Sequence, residues 1–160
     1  MAKPDAGYCK NAILHIAGQC PTMTPWRFTE YITEELRFPF SDWYSGQPVE
    51  VKAQLDFVIG LLRNLDSLTD DERRFKVLTG DDVGLSEIRF SVEAPHPTER
   101  KKRKKLRVRP LGIYRPEQRE FLMLTGAIEW GKGYLPKGVF AEAHRLMRAF
   151  GSGRGGSREF

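Results

Sequence analysis

Leu106-Arg107-Val108-Arg109-Pro110-Leu111-Gly112-Ile113-Tyr114, then Pro116-Glu117-Gln118-Arg119, then Phe121-Leu122-Met123-Leu124 within Glu120–Trp130, decides the fold class. The two apolar runs have strand composition, and the Pro-led polar segment between them is a turn, so the stretch predicts a hairpin. Immediately upstream, Gly84 to Val92 carries Leu85, Ile88 and Phe90 and predicts another strand. Trp26 to Ile32 alternates apolar and polar residues and predicts the first strand.

Helices fill the gaps. Pro39 to Gly46 predicts a short one, packed by Phe40, Trp43 and Tyr44. Pro48, at a first-turn position, opens a longer one whose stripe Val51, Leu55, Val58, Ile59, Leu62 and Leu65 has the spacing of a single buried face. Thr69 with Glu72 predicts a capping box for a short turn. Pro136 to Phe150 predicts a last helix, stopped by Gly151. The order is strand, helix, helix, three strands, helix. Consecutive strands with short links favour an α+β fold with a mainly antiparallel sheet packed by helices. Residues 1–24 form an N-terminal extension, 25–150 one domain, and 151–160 a Gly/Ser-rich tail expected to be flexible.

Composition narrows the function classes. At 160 residues the chain suits one domain, with 40% hydrophobic and 29% charged residues. Its apolar runs are too short for a membrane span and its N-terminus lacks a secretory core, so a cytoplasmic protein without membrane contact is expected. Cys9 and Cys20 have no CxxC partner, and two reduced thiols rather than a zinc site are expected. There is no P-loop, Rossmann fingerprint, nucleophile triad or HExxH motif, and no cofactor is expected.

Charge is concentrated. Arg100 to Arg109 holds 8 of the 26 basic residues and no acid, leaving 18 basic against 21 acidic residues elsewhere. A mildly acidic body with one positive site is the pattern of a phosphate-backbone binder. Arg100, Lys101, Lys102, Arg103, Lys104, Lys105 and Arg107 are therefore candidate RNA-binding residues.

Phe75-Lys76-Val77-Leu78-Thr79-Gly80, Gly84-Leu85-Ser86-Glu87-Ile88-Arg89-Phe90, Val108-Arg109-Pro110-Leu111-Gly112-Ile113-Tyr114 and Leu122-Met123-Leu124-Thr125-Gly126-Ala127 follow one another as ordered motifs. With the Pro136–Arg148 helix, the order resembles the RelE/ParE toxin superfamily, closest to its HigB-like or phage-derived Gp49-like branch. The chain departs from that branch at Ser86, usually tryptophan or tyrosine, and at Glu129-Trp130, often lysines. The resemblance implies a RelE-like fold and the toxin of a type II toxin–antitoxin pair. It implies metal-independent cleavage of messenger RNA, on the ribosome or free, and a helix-turn-helix antitoxin partner. On these positions Arg89, Arg109, Tyr114 and Lys132 are the candidate catalytic residues, and Lys76 joins the RNA-binding set. Guanidinium groups suit the task because they stabilise the charge of a phosphorane-like transition state. Glu129 is a further candidate acid/base at a strand end, Trp130 and Tyr134 are candidate stacking rings, and Glu87 is expected to face a basic neighbour in a structural role. The alternative on the same fold is a non-catalytic phage or prophage binding protein, or a gyrase-type inhibitor.

Overall fold

The computed structural model describes residues 23–99 and 101–160. Among the described residues three α-helices and one mixed eight-stranded sheet make an α+β fold. The elements are β1 (Arg27–Ile32), α1 (Pro39–Ser45), α2 (Val49–Leu62), β2 (Phe75–Val77), β3 (Ser86–Ile88), β4 (Phe90–Pro95), β5 (Arg103–Arg115), β6 (Glu120–Trp130), β7 (Gly133–Leu135), α3 (Val139–Gly151) and β8 (Gly156–Glu159).

The central ladder is the β5–β6 hairpin, with Arg109 opposite Ala127 and Tyr114 opposite Phe121. Its turn, Pro116–Gln118, closes on Arg119 in the left-handed conformation. Leu111 pairs with Thr125 and Gly112 with Met123, so Leu124 is an extra residue in β6, a bulge. A Cβ on Gly112 would lie 2.3 Å from the Leu122 carbonyl, which is why the bulge takes glycine.

The sheet runs β2-β3-β5-β6-β1-β8, with β4 added to β5 and β7 to β6. Most pairs are antiparallel, but β1 lies parallel to β6, so the sheet is mixed. Each face has its own core. On one, Val51, Leu55, Val58 and Leu62 of α2 meet Phe28, Ile88, Val108 and Phe121. On the other, Val139, Ala143 and Leu146 of α3 cover Leu85, Leu111, Leu122 and Leu124. Each of these side chains except that of Ala143 contributes about 1.5–3 kcal/mol by leaving water.

Several local expectations need correction. Gly84 to Val92 is two strands in one register on β5, broken at Arg89 where β5 carries Pro110, which has no N–H to give the ladder. The capping box is Ser67 with Asp70, not Thr69 with Glu72: the Ser67 hydroxyl accepts from the Thr69 N–H and Asp70 accepts from the Ser67 N–H. Pro48 is the N-cap of α2 rather than its first residue. Gly151 belongs to α3, and Gly153 at φ +72° takes the left-handed position beyond it. The tail expected to be flexible supplies β8. Gly/Ser composition cannot order a segment alone, but β1 offers an open edge, and Arg158 reaches the buried Glu30, donating Nε at 2.8 Å. Phe160 then packs edge-on against Phe40 and Tyr44. Residues 1–22, with Cys9 and Cys20, lie outside the described residues. Among the described residues no helix is long and apolar enough to cross a membrane.

Candidate functional site

Alternation along β5 puts Arg107, Arg109 and Leu111 on the α3 face, and α3 covers only the Leu111 end. Beyond it the face turns polar. Arg109 donates Nε (3.2 Å) and Nη2 (2.7 Å) to Oε1 of Glu129, and Arg107 Nη1 reaches Oε2 at 3.3 Å. Arg109 is largely enclosed, with 16% of its side chain exposed. Register brings in the rest of the cluster. Lys76 lies opposite Glu87 in the β2–β3 pair, Glu87 opposite Leu111, and Tyr134 opposite Glu129 in the β6–β7 pair. Arg89 stands beside Glu87, its Nε 3.9 Å from Oε1, and its Nη2 donates to the Glu72 carbonyl.

The two carboxyls differ in environment. Glu87 is 7% exposed, and burial raises its pKa; the charges of Arg109, Arg89 and Lys76 pull it down without cancelling burial, and Glu129 adds to the rise. Burial acts in the same direction on Glu129, but the hydrogen bonds and charges of Arg109 and Arg107 overcome it and hold its pKa below the ordinary range. The Tyr134 phenol is pushed up by burial and by both carboxylates. The face therefore holds two carboxyls that their surroundings shift in opposite directions, Glu87 up and Glu129 down.

The sequence candidates divide. Arg89, Arg109, Arg107 and Lys76 come together here. Tyr114 does not: it faces the α2 side, stacked 5.4 Å from Trp26 and hydrogen-bonded to Ser67 at 3.1 Å. Lys132 sits in the exposed turn between β6 and β7. The basic run forms the β4–β5 hairpin, with Arg103, Lys104, Lys105 and Arg107 inside β5 itself. Lys102 pairs with Glu99 at 2.5 Å and Arg103 with Glu50 at 2.7 Å. Lys104 lies over Trp130, and Lys101 and Lys105 are exposed. Arg100 lies outside the described residues.

Glu87 is the functional candidate that sequence reasoning placed in a structural role. Its basic neighbour across the sheet was legible, but its burial comes from tertiary packing. Among the described residues no group of three His, Cys, Asp or Glu side chains is placed to hold a metal. Comparison of the chain with protein-family models, with curated proteins and with solved structures finds no match.

Proposed function

We propose that this chain is an endoribonuclease of RelE-like fold, the toxin of a type II toxin–antitoxin pair, acting on messenger RNA. The observation that carries the reading is the cluster on the sheet face left open by α3, where Glu129 binds Arg109 and Arg107 and buried Glu87 stands beside Arg89 and opposite Lys76. The order strand, helix, helix, strands, helix, strand is compatible with the α+β class to which that fold belongs.

In this reading Glu129, ionised, takes the proton of a ribose 2′-hydroxyl. The 2′-oxygen attacks the adjacent phosphorus, Arg109 and Arg107 stabilise the charge gathering on the phosphoryl oxygens, and Glu87, acting as the acid, passes a proton to the departing 5′-oxygen. The products are a 2′,3′-cyclic phosphate and a 5′-hydroxyl. Arg109 keeps Nη1 outside its pairing with Glu129 and presents it to the phosphate. The hairpin lysines hold neighbouring phosphates. A helix-turn-helix antitoxin would silence the chain by covering this positive face.

One observation favours a second reading. Glu129 already neutralises Arg107 and Arg109, which suits a non-catalytic binding module on the same fold. Mapping RNA 5′ ends after expression, with Glu129→Gln as control, tests the proposal: new 5′-hydroxyl ends that vanish in the folded variant support cleavage, and growth arrest without new ends supports binding alone.

A further inference from the structure

On the other side of the β5–β6 ladder, between the α1–α2 link and the basic hairpin, lies a cavity of about 650 Å³ that the proposed chemistry does not use. Its size is that of sites taking small organic ligands. Its walls are mostly apolar: the Trp43 indole, four prolines (Pro48, Pro95, Pro97 and Pro136), Ile128 and Leu135. Trp43 lies directly on Gly126, where a Cβ would come within 2.3 Å of the ring, so the wall is built around the absence of a side chain.

His96, wholly buried, also lines the cavity. Its Nδ1 accepts the backbone N–H groups of Glu99 (3.0 Å) and Thr98 (3.3 Å), which puts the ring proton on Nε2. Nε2 has no hydrogen-bond partner, although buried polar groups nearly always have one. The His96 ring is 4.1 Å from that of Trp130, and the Lys104 ammonium stands 5.6 Å above Trp130. Aromatic and proline walls thus lie beside Trp130 and the Lys104 ammonium of the basic hairpin.

We infer that this cavity takes one base of a single-stranded RNA whose phosphates lie along the Lys101–Lys105 hairpin. The inference rests on the reading of the chain as an RNA-binding protein and adds a subsite to it. Stacking gives the apolar walls their partner. The hairpin charge selects a polyanionic ligand over a neutral one.

The test compares binding of a hexameric single-stranded RNA with that of an abasic ribose-phosphate oligomer of equal length. It uses the full chain, the cavity-filling variants Pro97→Trp and Gln47→Trp, and the variant with alanine at Lys101, Lys102, Lys104 and Lys105. Two filling variants at different positions guard against one failing to fold. The wild type should bind the base-bearing oligomer roughly 5- to 150-fold more tightly than the abasic one, the range of one stacked base. The filled variants should lose that difference while keeping abasic affinity, and the lysine variant should lose affinity for both. Equal, lysine-dependent binding of the two oligomers by the wild type would overturn the base subsite and leave the RNA reading standing. So would a base preference that survives filling. Binding of neither oligomer would remove the RNA reading and the subsite with it. Self-association of the wild type that filling abolishes, without base preference, would assign the cavity to a second copy of the chain.

Discussion

Arg109 and Glu129, two residues apart in register across the β5–β6 ladder, are joined by two hydrogen bonds from Nε and Nη2 to a single carboxylate oxygen. The bonds lock the guanidinium plane and hold Glu129 in its anionic form. Arg109→Ala should therefore lower cleavage by roughly a hundredfold or more, the scale of losing one preorganised donor. Arg109→Lys should restore only part, since an ammonium keeps the charge without the planar fork. Single-turnover rates on the two folded variants measure this.

The pH dependence of cleavage should be a bell whose two limbs both belong to carboxyls. In the proposed reaction, activity should rise as Glu129 ionises and fall as Glu87 loses its proton. Glu129→Gln should leave little activity at any pH. Glu87→Gln should lower the rate and flatten the alkaline limb. A pH–rate profile for each variant, read against the wild type, assigns the limbs.

Stability should respond to the same two groups with opposite signs. The pKa of Glu87 is raised in the folded protein above its ordinary value of 4.5, so its contribution is complete below that value and is lost as pH rises through the folded value. Glu87→Gln, neutral throughout, should melt higher than the wild type at neutral pH, on the order of 1–3 °C for a domain of this size, with the gain disappearing in acid. The pKa of Glu129 is depressed, so its contribution is present above the ordinary range and is lost as pH falls through the folded value. Glu129→Gln should cost about 1–2 kcal/mol at neutral pH, less in acid. Thermal melts across pH check both trends.

Glu30 joins three elements: it accepts from the Ser41 N–H (3.0 Å) and hydroxyl (2.8 Å) at the start of α1 and from Arg158 of β8. Glu30→Ala leaves a partly buried N–H without its acceptor and an arginine without its carboxylate, and should destabilise the fold by about 3 kcal/mol. Phe160→Ala should cost less, about 1–2 kcal/mol, because the ring is only partly buried. Denaturant unfolding of the two variants separates the ion pair from the aromatic anchor.

What the sequence revealed depended on how local the determinant is. The β5–β6 hairpin was readable because Pro116 to Arg119 is turn chemistry between two apolar runs, and α2 because one stripe of five residues faces the core. β8 was not, since its order comes from the edge of β1, more than a hundred residues away. β2 is three residues long and leaves no periodic trace. In the site, alternation along β5 already separates Arg109 from Tyr114, five residues on, and that parity argues against joining them in one cluster. The proximity of Arg109 to Glu129 depends on strand register, and the burial of Glu87 on how β2, β3 and β5 pack. Neither is written in a local pattern.

The most direct test is single-turnover incubation of messenger RNA, free and ribosome-bound, with the wild type and with folded Glu129→Gln and Arg109→Ala. The account predicts that the wild type leaves 2′,3′-cyclic phosphate and 5′-hydroxyl ends and that each variant cuts at least roughly a hundredfold more slowly. Intact RNA in both settings with the wild type, or unimpaired cutting by both folded variants, would contradict it.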